Sequence, residues 1–210
     1  MAVVTVSRQY GAGGLRVGPA VAEALGFRFA DRELVELAAE RLGLDPQVAR
    51  ARDERVPAIV EEIGLALAAG TPPFGAAPPF PAERALGDQA LAEATQRVIR
   101  SLADAGGYVI LGRGAQAALA ERRDACHISL VGDRRDRARR VAASQGVDEK
   151  EALARCERVD AERAAYVRRF YGVDIGDPLL YDCVLNTSRL SLEAVVDVAV
   201  EAVGRKLDIR

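Results

Sequence analysis

The chain has almost no lysine. All but two of its 29 basic residues are arginines, and the two lysines, Lys150 and Lys206, lie in its last third. The net charge of −2 provides no overall positive field, so we expect no nucleic-acid partner. If this chain handles phosphates, arginines must do so, because a guanidinium binds phosphate as a planar fork rather than as a point charge.

Other reactive residues are also scarce. The single histidine, His127, lies inside a strand pattern, and we expect it to be structural rather than a general base. Cys126, Cys156 and Cys183 are an odd number without metal-ligand spacing, which predicts buried thiols in a reducing cytoplasm. No apolar run approaches the roughly 20 residues of a membrane span, and no charged region precedes the first apolar run as in a signal peptide. We therefore expect a cytoplasmic protein without a membrane partner or a metal-ligand cluster.

The beginning of the chain carries the strongest pattern. Val3–Val6 is a β-branched run that predicts a strand, and the glycine-dense turn SRQYGAGG follows at 7–14. Apolar residues at helical spacing then predict a helix from Arg16 to Leu25, with Pro19 in its first turn and Gly26 at its end. A strand, a glycine turn and a helix N-terminus together cradle phosphate, because backbone N–H groups and the helix dipole converge on one anion.

The turn departs from the standard phosphate-binding motif G-x-x-x-x-G-K-[ST]. Arg8 stands at the first glycine position, and Gly14 stands at the lysine position. Either Arg8 or Arg16 could supply the missing charge, and a tight turn that binds no ligand is the alternative. The candidate phosphate-binding residues are Ser7, Arg8, Gly11, Ala12, Gly13, Gly14, Leu15 and Arg16.

The rest of the chain alternates between strand and helix patterns. Further strands are predicted at 27–30, 108–111, 126–131 and 183–185. This alternation predicts a parallel sheet of about five strands with helices on both faces, whose ligands bind at the carboxyl ends of the strands. Asp31 follows the second strand, where it is an N-cap, a substrate contact or both. Arg113 follows the third strand, and we expect it to clamp a substrate phosphate.

Two segments stand apart from this alternation. Five of the nine prolines lie in the loop 70–82, which is either a surface insertion or a flap over a site. The charged stretch 148–170 is either a solvated helix with paired charges or an arginine-bearing lid. We expect one domain over 1–210, with a helical substrate-binding part at about 31–105 and a lid-like segment at about 146–172.

The motifs together resemble the cytidylate kinase-like family of P-loop nucleoside monophosphate kinases. The resemblance rests on 6–14 with 22–26, on 30–34, on 109–113, on the pair Asp160-x-x-Arg163 and on 181–188. It implies a three-layer α/β P-loop fold and transfer of the γ-phosphoryl group of ATP to CMP or dCMP. It also implies Mg²⁺ held mainly by nucleotide phosphates and water, and small nucleotides as the partners.

The resemblance implies roles for individual residues as well. The segment 8–16 would hold the ATP phosphates. The catalytic residues would be Arg16, Arg113 and Arg163; the monophosphate would be bound by Asp31, Arg113, Asp160 and Arg163; and the further lid arginines would be Arg155 and Arg158. Because Gly14 replaces the lysine, two alternatives stay open: a nucleotide- or anion-binding module without catalysis, and a kinase for another small acceptor.

Overall fold

A computed structural model describes residues 2–31 and 88–209. Most of the predicted helical part 31–105, including the proline-rich loop 70–82, lies outside these residues. The described strands are β1 (Val3–Arg8), β2 (Arg28–Ala30), β3 (Tyr108–Leu111), β4 (Ala125–Val131) and β5 (Cys183–Asn186). The described helices are α1 (Gly14–Leu25), α2 (Asp88–Ala105), α3 (Ala115–Ala118), α4 (Arg134–Gln145), α5 (Glu149–Tyr171) and α6 (Leu192–Leu207), with a short 3₁₀ turn at Pro178–Leu180.

The five strands form one parallel sheet in the order β2-β3-β1-β4-β5, which confirms the predicted architecture. The central strand β1 lies between β3 and β4. Val6 is opposite Leu111 on β3 and Ile128 on β4, so the turns after β1 and β3 begin side by side. Among residues 2–31 and 88–209, no helix is long and apolar enough to cross a lipid bilayer.

Both faces of the sheet are covered, because alternate residues of each strand point to opposite sides. On one face, Val3 and Ile110 pack against Leu102 of α2 and the residues of α3. On the other face, Val4 and Val109 pack against α1 and α6. With both faces buried, the carboxyl ends of the strands are left to carry a ligand site.

Helix α1 begins earlier than the sequence predicts. It starts at Gly14, so Pro19 is its sixth residue and not part of the first turn. Because proline has no N–H, the carbonyl of Leu15 lacks its usual hydrogen bond within the helix. Leu15 is exposed at the start of the helix, where water can reach it. Gly26 ends the helix as predicted, with φ at 65° and its N–H donated to the last carbonyls.

Helices α4 and α5 are held against the glycine turn by a buried ion pair. The Arg137 guanidinium of α4 donates to the Asp160 carboxylate of α5 at 2.6 Å and to the Tyr10 carbonyl at 2.9 Å. The Tyr10 N–H donates in turn to the other oxygen of Asp160 at 2.7 Å. Arg137 is only 4% exposed, so water cannot substitute for these contacts.

We predict that Arg137→Ala destabilises the protein, because it removes the shorter of the two ion pairs of Asp160 and leaves only the 3.8 Å contact with Arg163. The expected loss in the free energy of unfolding is about 3 kcal/mol, at the low end for a broken buried pair since Asp160 is partly exposed. Chemical denaturation measures this loss. The control is Arg139→Ala on the exposed side of the same helix, for which we expect a change within about 0.5 kcal/mol. Equal losses in the two variants would contradict the ion-pair account.

His127 is buried, and so are two of the three cysteines that were expected to be buried. Cys126 and Cys156 are buried free thiols, and Cys183 is half-buried. The His127 side chain is hydrogen-bonded to Thr5, with 2.8 Å between Nδ1 and the hydroxyl oxygen. Burial lowers the pKa of His127, because the imidazolium loses hydration there, while the Asp182 carboxylate acts in the opposite direction.

This lowered pKa predicts a pH dependence of stability. In the unfolded chain the histidine takes up its proton at about pH 6.5, whereas the folded protein resists protonation. The free energy of unfolding should therefore fall as the pH is lowered from about 7 to 5. Denaturation midpoints across this range test it, because His127 is the only histidine. In His127→Asn the slope should flatten, and an unchanged slope would contradict the assignment.

Candidate phosphate-binding site

The turn between β1 and α1 has the bend that an anion-binding loop requires. Gly11 and Gly13 take left-handed φ angles of 78° and 85°, which L side chains rarely adopt. Ala12 between them is fully buried, and its N–H donates to the Gln9 carbonyl. The burial of Ala12 and this backbone hydrogen bond therefore hold the turn in its shape.

The N-terminus of α1 keeps donors available at this turn. The N–H groups of Arg16 and Val17 donate to the Gly13 carbonyl, but no side chain caps the helix. Within the described part of the chain, the N–H groups of Gly14 and Leu15 have no hydrogen-bond acceptor. Unpaired N–H groups at a helix start, together with the helix dipole, favour an anion.

Three arginines line one cavity beside this turn. The cavity has a volume of about 190 Å³ and is lined by Arg8, Arg113 and Arg163, with Ser7 and Tyr166 among its other walls. Arg8 ends β1, Arg113 follows β3, and Arg163 comes from α5. The fold therefore brings together residues that are far apart in the sequence. With Glu162 as the one carboxylate among its described lining residues, the cavity has an excess of positive charge, which favours a negatively charged ligand.

Arg113 is held in place from two directions. Its guanidinium lies 4.4 Å from the centre of the Tyr166 ring, and its carbonyl accepts a hydrogen bond of 2.9 Å from the Tyr171 hydroxyl. Its φ of 55° is unusual for a residue other than glycine. Burial also raises the pKa of Tyr171, so this hydroxyl remains a donor at neutral pH. The side chain is thus oriented before any ligand arrives.

Arg163 joins this cavity to a second one and to the turn. Its guanidinium donates to the Arg8 carbonyl at 2.9 Å and lies 3.8 Å from Asp160. The adjoining cavity, of about 380 Å³, is lined by Ser7, Arg8 and Arg163 as well as by Asp160 and Tyr181. The two cavities flank the end of β1, and Arg8 lines both of them.

Other arginines expected at the site lie outside these cavities. The Arg16 side chain is 73% exposed, lies 3.6 Å from Glu193 and lines a separate groove between α1 and α6. Arg155 is paired with Glu151 at 3.1 Å, and Arg158 is paired with Glu162 at 2.8 Å. These two pairs are the i,i+4 contacts of a solvated helix face.

Asp31 follows β2, two strands away from β1, and lines neither of the two cavities. Asp160 lines the second cavity, but its carboxylate is bound to Arg137 and to the Tyr10 N–H. In the described ranges 2–31 and 88–209, no group of three or more acidic, histidine or cysteine side chains is arranged to hold a metal.

Sequence reasoning missed Tyr166 and Arg137. Tyr166 is three residues after Arg163, which is itself three after Asp160, so all three share one face of α5. The sequence contains that spacing, but the many charged residues around it make a solvated helix face the simpler interpretation. Arg137 gave no signal, since it is one of five arginines in the twelve residues of α4.

Comparison with known proteins places this geometry in a family. The Cytidylate kinase-like family matches residues 3–189. A cytidylate kinase from Methanoculleus marisnigri is 36% identical over 73 residues, which are 33% of this chain and 40% of that protein. A uronate isomerase from Corynebacterium glutamicum is 30% identical over 112 residues, which are 53% of this chain and 21% of that protein. The chain thus spans less than half the length of these curated relatives.

Solved structures agree on the fold. An uncharacterised protein from Eubacterium ventriosum superposes with a TM-score of 0.69 at 21% identity over the full length of both chains. A gluconokinase from Sinorhizobium meliloti superposes with a TM-score of 0.53 at 16% identity, over 99% of this chain and 94% of that one. The five-stranded parallel sheet with flanking helices is therefore the P-loop kinase fold. Since the family match runs from β1 to the turn after β5, the chain belongs to the cytidylate kinase-like family.

Proposed function

We propose that this protein is a nucleoside monophosphate kinase that transfers the γ-phosphoryl group of ATP to CMP or dCMP. The observation that carries the proposal is the convergence of Arg8, Arg113 and Arg163 on one cavity beside the glycine turn. Among the described residues, three arginines and one carboxylate, that of Glu162, line this cavity, so its lining carries an excess of positive charge that favours a ligand with several negative charges. Family membership makes a nucleotide the first candidate for that ligand.

The proposed roles follow from position. The N–H groups at the start of α1 would bind phosphates of ATP. Arg113 and Arg163 would orient the acceptor phosphate and neutralise the charge that spreads over the transferred group. One acceptor phosphate oxygen forms a bond to the γ-phosphorus while the bond to the bridging oxygen of ADP breaks. The chain forms no covalent intermediate, so its contribution is positioning and electrostatics.

Mg²⁺ is the metal that kinases of this kind require. The described residues fit it only indirectly, because they offer no carboxylate cluster and Leu15 stands where the standard motif has a hydroxyl side chain. The ion would be carried by nucleotide phosphates and water, which suits its reluctance to lose water, and it would lower the negative charge on those phosphates.

A second candidate function is a nucleotide- or anion-binding module that transfers nothing. The observation in its favour is the glycine at position 14, where the standard motif has lysine. A third candidate, a kinase for another small acceptor, has the same donor site but a different acceptor. The kinase proposal is favoured over the binding module because the Arg8 side chain, whose base packs beside Gly14, extends its guanidinium towards Gly112 and lines the cavity at the end of β1.

A coupled assay of ADP formation with CMP, dCMP, UMP, AMP and GMP separates these functions. We expect turnover at saturating ATP and Mg²⁺, with CMP or dCMP as the preferred acceptor. Tight ATP binding in calorimetry without product from any monophosphate would favour the binding module. ATP binding that CMP neither competes with nor enhances, again without turnover, would favour another acceptor.

We predict that Arg113→Ala lowers kcat/KM for the monophosphate by at least about tenfold. The variant lacks the positive charge that would neutralise the transferred group and orient the acceptor phosphate. Arg113→Lys should recover only part of this loss, since lysine lacks the fork and the flat contact with Tyr166. The control is Arg205→Ala, an exposed arginine of α6 paired with Glu201. An Arg113→Ala enzyme as active as this control would contradict the proposed role.

A further inference from the structure

We infer that the positive charge of the phosphate loop has moved in this chain from position 14 to position 8. Arg8 serves as the phosphate-binding cation in place of the lysine, and position 14 must be glycine because the Arg8 side chain occupies the neighbouring space. The inference rests on the proposed function and adds to it the residue that replaces the lysine. It also decides between Arg8 and Arg16.

The packing around Arg8 carries the steric half of the inference. A Cβ at Gly14 would lie 2.9 Å from Cγ, 3.3 Å from Cβ and 3.4 Å from Cδ of Arg8. These atoms belong to the base of the side chain, which cannot swing away as its far end can. Gly14 is also helical and has no positive φ, so backbone conformation gives no other reason for a glycine there. A lysine at 14 would therefore force the Arg8 side chain out of its observed position.

A second glycine receives the far end of the same side chain. A Cβ at Gly112 would overlap Nη1 of Arg8 and would lie 2.9 Å from its Cζ. The guanidinium therefore rests on the backbone that links β3 to Arg113. An arginine packed between Gly14 and Gly112 is oriented before it binds, so it loses little side-chain freedom when it grips a phosphate.

The positions of the Arg8 and Arg16 side chains support the electrostatic part of the inference. Arg8 lines both cavities at the end of β1, next to Arg113 in one and Asp160 in the other. Arg16 lies in the groove between α1 and α6, beside Glu193 and Asp197. Arg16 therefore lies in a groove separate from both cavities, whereas the guanidinium of Arg8 lies beside Gly112 in the cavity that Arg113 and Arg163 also line.

The sequence shows the same exchange. The standard motif has glycine at the position of Arg8 and lysine at the position of Gly14, and this chain has the reverse. Both arrangements put one cation and one glycine at these two places. The difference is chemical, because arginine can bind two phosphate oxygens side by side and lysine acts as a point charge.

Three variants test this exchange directly: Arg8→Gly, Gly14→Lys and the double variant that restores the standard motif. We expect each single change to weaken the binding of ATP and of tripolyphosphate, measured by calorimetry, by at least about tenfold. Gly14→Lys should also lower the melting temperature of the free protein, because of the collision with Arg8. The double variant should recover much of both losses. Losses that simply add in the double variant would overturn the inference.

Two further variants serve as controls. Arg8→Lys tests whether a loss of binding comes from the lost charge rather than from misfolding, and Arg16→Ala tests the other candidate cation. Arg8→Lys keeps a charge at position 8 and should retain more affinity for tripolyphosphate than Arg8→Ala. Arg16→Ala should weaken that binding less than Arg8→Ala does. If Arg16→Ala is the more damaging change, the charge is supplied from position 16 and the inference is wrong. If Gly14→Lys does not fold while the double variant does, the steric half is supported directly.

The assays also separate this inference from the proposed function. A wild-type protein that binds tripolyphosphate through Arg8 but phosphorylates no monophosphate would contradict the kinase proposal and support the inference. If the wild-type protein phosphorylates CMP and the Arg8→Ala variant does so with full activity, the kinase proposal is supported and the inference is overturned. Binding of neither ATP nor tripolyphosphate would overturn both.

Discussion

The site depends on one constraint, which is that three like-charged guanidiniums share a cavity. Like charges repel one another at this separation, so the protein must hold each arginine in place by its own contacts. Arg113 lies against the Tyr166 ring, Arg163 donates to the Arg8 carbonyl, and Arg8 packs between two glycines. These contacts fix the arginines in the protein, and the proposed polyanionic ligand would add its negative charge to a cavity whose side chains are already in position.

The fold supplies the rest of the support. The parallel register places the ends of β1 and β3 side by side, which brings Arg8 next to Arg113 without any long loop. Helix α5 is tied to the glycine turn through Asp160, Arg137 and the backbone of Tyr10. The segment expected to act as a lid is therefore bonded to the phosphate turn itself. A change at that ion pair should affect both stability and the geometry of the cavity.

Much of this could be predicted from the sequence, because its signals are local. The strands, the glycine turn and the helix ends follow from short patterns, and the position of Arg113 follows from the rule that ligands bind at strand ends. The choice between Arg8 and Arg16 could not be predicted. It depends on which of the two side chains lines the cavity at the end of β1, and that is decided by the tertiary structure. For the same reason the contact of Asp160 with Arg137, which joins residues 23 apart, could not be predicted from the pair Asp160-x-x-Arg163.

The most direct test of the account is a crystal structure with a non-hydrolysable ATP analogue or tripolyphosphate. The account predicts a phosphate group on the N–H groups of Gly14 and Leu15, with both Nη atoms of Arg8 within hydrogen-bond distance of phosphate oxygens. A phosphate bound by Arg16 in the groove between α1 and α6, with the Arg8 guanidinium in contact with no anion, would contradict it.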